Sequence, residues 1–151
     1  MESPAFADTA GSRCVFYRRT CGLPVGIDPL YRRITLRAGA IGAITMPGSL
    51  GARVRHEMTS RRNPLGPVIA HLRSGRWTFL CRPDLPDEVP LFAELFRLNV
   101  SVVPQGGSIA LPSPADGGYR KWVIAPRDTF RPSGLVLVDS IRAVAPRRPR
   151  C

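Results

Sequence analysis

Residues 66–126 read GPVIAHLRSGRWTFLCRPDLPDEVPLFAELFRLNVSVVPQGGSIALPSPADGGYRKWVIAP, and this stretch decides the fold. It holds both tryptophans and one of the two histidines. Pro67–Arg73 is an apolar run around Val68, Ile69 and Leu72. Ser74-Gly75 supplies a two-residue turn, with glycine where positive φ is needed. Arg76–Arg82 answers it, Trp77, Phe79 and Cys81 alternating with Arg76, Thr78 and Leu80. The alternation predicts a hairpin. Asp87 is expected to cap a helix from about Glu88 to Leu98, with Phe92, Leu95, Phe96 and Leu98 on its apolar face. A three-stranded meander is expected next. Val100–Val103 reverses at Gln105-Gly106-Gly107-Ser108, Ile109–Leu111 returns, and Tyr119–Ala125 follows a wider loop. Strict alternation places Tyr119, Lys121 and Val123 on one face and Arg120, Trp122 and Ile124 on the other.

Working outward, Leu50, Val54 and Met58 recur at four-residue spacing and predict a helix over 47–60, with Thr45 as its cap and Pro47 in its first turn. Asn63-Pro64 stops it. Ser133 is expected to cap a last helix over 134–144, with Leu135, Val138, Ile141 and Arg142 along one side. The fold class is α+β: a small, mainly antiparallel sheet of about five strands with helices packed on it, in the order α-β-β-α-β-β-β-α. Before Met46 the pattern is weak. Pro and Gly in TCGLPVGIDP break any periodicity, and the short apolar pieces at 14–17 and 33–36 lack an evident partner. Met46 would itself serve as a start. The expected organisation is therefore a poorly structured basic extension at 1–45, one α+β domain at 46–144 and a basic tail at 145–151.

The net charge of +11 separates by region. Residues 1–63 carry ten Arg against four acids, residues 64–143 nine basic residues against seven acids, and residues 144–151 three Arg with no acid. The excess thus lies in the arms. A basic arm can bind phosphate by counterion release without reading sequence. Equally, 21 Arg to a single Lys suggests a GC-rich coding bias that leaves arginines scattered over a solvated surface. Both readings stay open, since charge bears on non-specific binding rather than on fold. No apolar run is long enough to span a membrane, and the N-terminus lacks a charged segment leading into an apolar one. The cytoplasm is the expected compartment, with no membrane partner.

Motifs for chemistry are incomplete. Cys14, Cys21, Cys81 and Cys151 are spread along the chain, and only His56 and His71 could join them, so no metal site is expected. Gly106-Gly107 precedes no helix and is a turn rather than a phosphate loop. A set of His71, Ser108 or Ser113, and Asp116 can be written down, but any chain of this size permits one. Trp77, Tyr119 and Trp122 beside Arg76, Arg120 and Lys121 form a candidate base-stacking platform. The competing reading makes these aromatics core and sheet cover.

LNVSVVPQGGSIALPSPADGGYRKWV resembles the second half of bifunctional DNA primase/polymerase domains of the archaeo-eukaryotic primase type. The shared features are the hairpin at Ser74–Leu80, the Gly106-Gly107 turn, the strand end Leu111-Pro112, and Gly118-Tyr119-Arg120-Lys121-Trp122. The similarity covers about half the chain and extends to short actinobacterial proteins of unknown role. It implies contact with nucleic acid or a nucleic-acid-processing protein, by Arg76, Trp77, Tyr119, Arg120 and Lys121. The departures bear on catalysis. The family's paired carboxylates, which hold metal ions for nucleotidyl transfer, have no counterpart here, and Arg76 and Trp77 stand where its hairpin histidine is expected. The expectation is a non-catalytic binding or regulatory module, a degenerate primase/polymerase-like domain, with no catalytic residue and no cofactor. The alternative is a protein-interaction domain without a nucleic-acid ligand. The oligomeric state is left open.

Overall fold

The computed structural model describes residues 9–146. Within them, four helices, α1 (Ala10–Arg19), α2 (Gly48–Ser60), α3 (Val89–Arg97) and α4 (Gly134–Val144), accompany eight strands. The strands are β1 (Val25–Ile27), β2 (Ile34–Arg37), β3 (Gly42–Pro47), β4 (Val68–His71), β5 (Arg76–Cys81), β6 (Ser101–Val102), β7 (Ser108–Leu111) and β8 (Arg120–Ile124). They form two antiparallel sheets, a five-stranded one ordered β6-β3-β5-β4-β8 and a three-stranded one ordered β1-β2-β7. The class is α+β, and from α2 onward the elements follow the expected order.

The five-stranded sheet is apolar on both faces, so it needs cover on both. Ile44, Met46, Val68 and Phe79 face the helices, where Val54 and Met58 of α2, Leu95 of α3 and Leu137 of α4 close one core. Ala43, Ile69 and Leu80 face the other way, onto a second core with Tyr17 of α1 and Leu36 and Ile109 of the small sheet. Each fully buried Leu or Ile contributes roughly 1.5–3 kcal/mol of transfer free energy. Glycines set the fit of α2: a Cβ on Gly51 would lie 2.7 Å from Cε3 of Trp77. The helix can settle on the indole only because that Cβ is missing.

The N-terminal segment departs from expectation. Within residues 10–45 lie α1, β1, β2 and most of β3, not a poorly structured extension. A boundary at Met46 would cut β3, an interior strand of the large sheet, and Met46 itself is fully buried. The physical reason is distance along the chain. Ile34 and Leu36 do alternate with Thr35 and Arg37 as a half-buried strand should, but beyond the three-residue β1, where Ile27 and Val25 oppose them, their partners are the distant Leu111 and Ile109. The anticipated basic tail at 145–151 lies mostly outside the described residues, which end at Pro146.

The meander also resolves differently. Val102 pairs with Ile44 in the large sheet, whereas Ser108–Leu111 pairs with β2 in the small one. The Gly-Gly segment therefore passes the chain between layers. Gly106, at φ +82°, donates its N–H to Ala38 O, and Ala38 N–H donates to Gly107 O, both at 2.8 Å. The β4–β5 hairpin forms as expected, but its connection is four residues, Leu72–Gly75, closed by Gly75 N–H on His71 O. On β8 a register shift leaves Val68 opposite Ile124 and Ile69 opposite Trp122. This bulge sends Trp122 to the small-sheet core and Ile124 to the helical core, splitting a pair that strict alternation puts together.

Two of the three expected helix caps do not form. Thr45 lies in β3, so α2 begins at Gly48 without a side-chain cap, and α3 starts after Glu88 with none from Asp87. Ser133 does cap α4, accepting from Leu135 N–H at 3.1 Å. Asp84 adds a second acceptor, taking Gly134 N–H at 2.7 Å and the Ser133 hydroxyl. Burial pushes the Asp84 carboxyl up, but these hydrogen bonds outweigh it and hold the group below the ordinary carboxylate range.

Candidate nucleic-acid interface

Strand register assembles the site. His71 on β4 lies opposite Arg76 on β5 and opposite Arg120 on β8. Residues directly opposite in an antiparallel pair share a face. Three basic side chains thus stand in a row across adjacent strands, at the end of the sheet face that α1 and the small sheet cover elsewhere. Like charges in such a row repel. The neighbouring row holds Thr45 and Thr78, paired across β3 and β5, which give this end of the face its polarity.

The three members differ in their partners. Arg76 donates to Asn99 Oδ1 at 3.1 Å, and to Thr45 Oγ1 and Asn99 O at 3.0 Å each. It thereby clamps the chain after α3, where Asn99 has φ +61°. His71 Nε2 lies 2.7 Å from Thr78 Oγ1. Burial first, then the positive fields of Arg120 and Arg76, push its pKa below the ordinary value, so the imidazole is neutral at pH 7. Arg120 is the least satisfied. Its Nη1 is 4.0 Å from Asp116 Oδ2, and its Nε is buried with no hydrogen-bond partner among the described residues. Asp116 is itself engaged, accepting from Gly118 N–H at 3.0 Å and from Ser113 N–H at 3.4 Å.

The five residues singled out from sequence divide between the two faces. Arg76 and Arg120 share the row. Trp77 and Lys121 lie opposite Ala70 on the other face. There Trp77 is packed against Gly48 and Gly51 of α2 rather than open to a base, and Lys121 is exposed. Tyr119 is 46% exposed just before β8, and the guanidinium of Arg73 sits 3.8 Å from its ring centroid. Trp122 is occupied: its Nε1–H donates to Tyr17 Oη, which donates to Pro112 O, both at 2.9 Å. The two rings meet edge to face at 5.7 Å. Burial above all pushes the Tyr17 phenol up to about 12. Of the three-aromatic platform, only Tyr119 presents an exposed ring.

Sequence reasoning weighs His71 only as a metal ligand or in a catalytic set, and passes over Arg73. The signal is the hairpin register: a four-residue connection sets His71 opposite Arg76, where a two-residue turn does not. The set of His71, serine and Asp116 is not assembled for catalysis, since His71 is bound to Thr78 and Ser113 is bound to Arg32 O and Ala115 N–H. A cavity of about 540 Å³ opens at the far edge of the large sheet, by Ile41, Gly42, Arg82, Asp87, Phe92 and Gln105, and shares no residue with the basic row. Among the described residues no three of His, Cys, Asp and Glu are grouped to hold a metal ion, and no helix is long and apolar enough to cross a membrane. No family model, no curated protein and no solved structure matches the chain.

Proposed function

We propose that this chain is a non-catalytic binding module that contacts the phosphates of single-stranded nucleic acid, directly or beside a nucleic-acid-processing protein. The observation that carries the reading is Arg120. Its Nε–H is buried without an acceptor among the described residues, it lies opposite the neutral imidazole of His71 with Arg76 one strand further on, and one distant carboxylate compensates its charge. The Nε–H is closed to solvent, but the side chain as a whole is a quarter exposed, so a phosphate at its open part supplies the negative charge that Asp116 provides only at 4.0 Å. Arg73 and Tyr119, at the hairpin tip and just before β8, extend the contact to a neighbouring phosphate and a stacked base, while Lys121 adds charge from the other face of the edge strand. In this reading the kinship with primase/polymerase domains is that of a degenerate relative that holds phosphates and transfers none.

The test is fluorescence anisotropy of a labelled single-stranded oligonucleotide over a salt series. Binding is expected at low salt, with log K falling as log salt rises. Replacing Arg73, Arg120 and Lys121 together by Gln should weaken it and flatten the slope by about 0.7 for each phosphate that is no longer neutralised. Arg76 is left intact because it clamps Asn99. No binding at low salt, or an affinity and slope unaltered in the triple variant, defeats the proposal. The second reading, a protein-interaction domain, then stands, and the exposed apolar residues of α3 favour it.

A further inference from the structure

α3 is apolar on more of its circumference than the other described residues cover. Leu91 and Leu95 are buried, while Val89 and Phe96 are 80% and 77% exposed. At helical spacing Val89, Ala93 and Phe96 fall on one outward stripe, with Phe92 on its shoulder. Phe92 also lines the 540 Å³ cavity, so the apolar surface runs from the stripe into that opening. A helix apolar on so many sides is normally enclosed.

The charges beside the stripe are segregated. Asp87 and Glu88 are exposed at its N-terminal end and Arg97 at its C-terminal end. Glu94 lies off the stripe and is held by Arg142 at 2.7 Å.

We propose that α3 is the docking surface for a second copy of this chain, packed antiparallel across a two-fold axis. A two-fold sets the helix against its own reverse. Phe96 then meets Val89 of the other copy, the small Ala93 sits near the crossing, and Asp87 and Glu88 face Arg97. Nine residues span roughly 13 Å, more than the screening length of about 8 Å at physiological salt, so each end responds to the charge directly opposite it. A parallel pair sets like charges together, and a uniformly acidic partner matches one end only. The same screening keeps the remainder of the +11 charge from forbidding association, although it holds the pair in the weak, micromolar class.

Sedimentation velocity on the full chain over a concentration series is the test. A reversible monomer–dimer equilibrium is expected, and Phe96→Glu should leave monomer throughout, since Phe96 is already exposed and the fold does not depend on it. Glu88→Arg or Arg97→Glu alone should weaken the dimer by about tenfold or more, and the double swap should return it to within about threefold of the parent. Monomer at every concentration, a dimer that survives Phe96→Glu, or a double swap weaker than either single one overturns the proposal. The measurement contains no nucleic acid, so its outcome is independent of the phosphate-binding reading.

Discussion

His71 illustrates how a single side chain takes its chemistry from its strand neighbours. Its pKa lies below the ordinary 6.5 through burial and the fields of Arg120 and Arg76. The unfolded chain therefore holds more protons than the folded one below that value. Stability is level above pH 6.5 and falls as pH drops from 6.5 toward the folded pKa. Urea unfolding of His71→Gln should lack that decline; a profile identical to the parent's would rule out the account. His56, the other histidine, is exposed on α2 and stays in place as the internal control. A bound phosphate offsets the positive field on the ring and favours its protonation, so oligonucleotide affinity should climb as pH falls through the same window and do so less in His71→Gln. Tyr17 is the second decisive residue. Tyr17→Phe strands the Trp122 N–H and the Pro112 carbonyl at a buried junction. A loss of about 1–3 kcal/mol is expected in chemical denaturation, and a change under a few tenths would show that the bridge is incidental.

At the scale of elements, the sequence is most legible where partners are near in the chain. β4 and β5 announce themselves through an apolar run and an alternating run on either side of a glycine turn, and α2 through Leu50, Val54 and Met58, all of which are buried. β2 alternates as well as β5 does, but its near partner β1 is only three residues long and broken by Gly26, its other partner β7 lies far downstream, and nothing local reveals that second pairing. The basic row is half legible for the same reason. Arg76 and Arg120 can be picked from charge and position, but His71 joins them only through register, and Trp77 leaves them because alternation turns it toward α2. A truncated chain beginning at Met46 tests the role of the N-terminal elements. It lacks the outer cover of Ile69 and Leu80 and most of β3, so it should show no cooperative thermal transition. A cooperative transition near that of the full chain would restore the extension reading.

Across the whole molecule, charge and apolar surface are carried by different elements. The basic row closes one end of the large sheet, whereas the exposed stripe of α3 adjoins the cavity at its β6–β3 edge. Two contacts can then coexist, one with phosphate and one with protein. If both proposals hold, a dimer presents two basic rows to one strand, and oligonucleotides long enough to reach both should bind more tightly than short ones through effective concentration.

The pairing of β2 with β7 has a consequence for synthesis. A ribosome releases Ile34 long before Leu111, and until then Leu36 has no strand partner on that side. Neither face of the large sheet can be finished early, because β8 and α4 come later still. The nascent chain must carry its unpaired edges and apolar side chains until β7, β8 and α4 have been made, which exposes it to aggregation in that interval. Completion of both layers accordingly waits for α4, and the closure of the longest loops sets its pace.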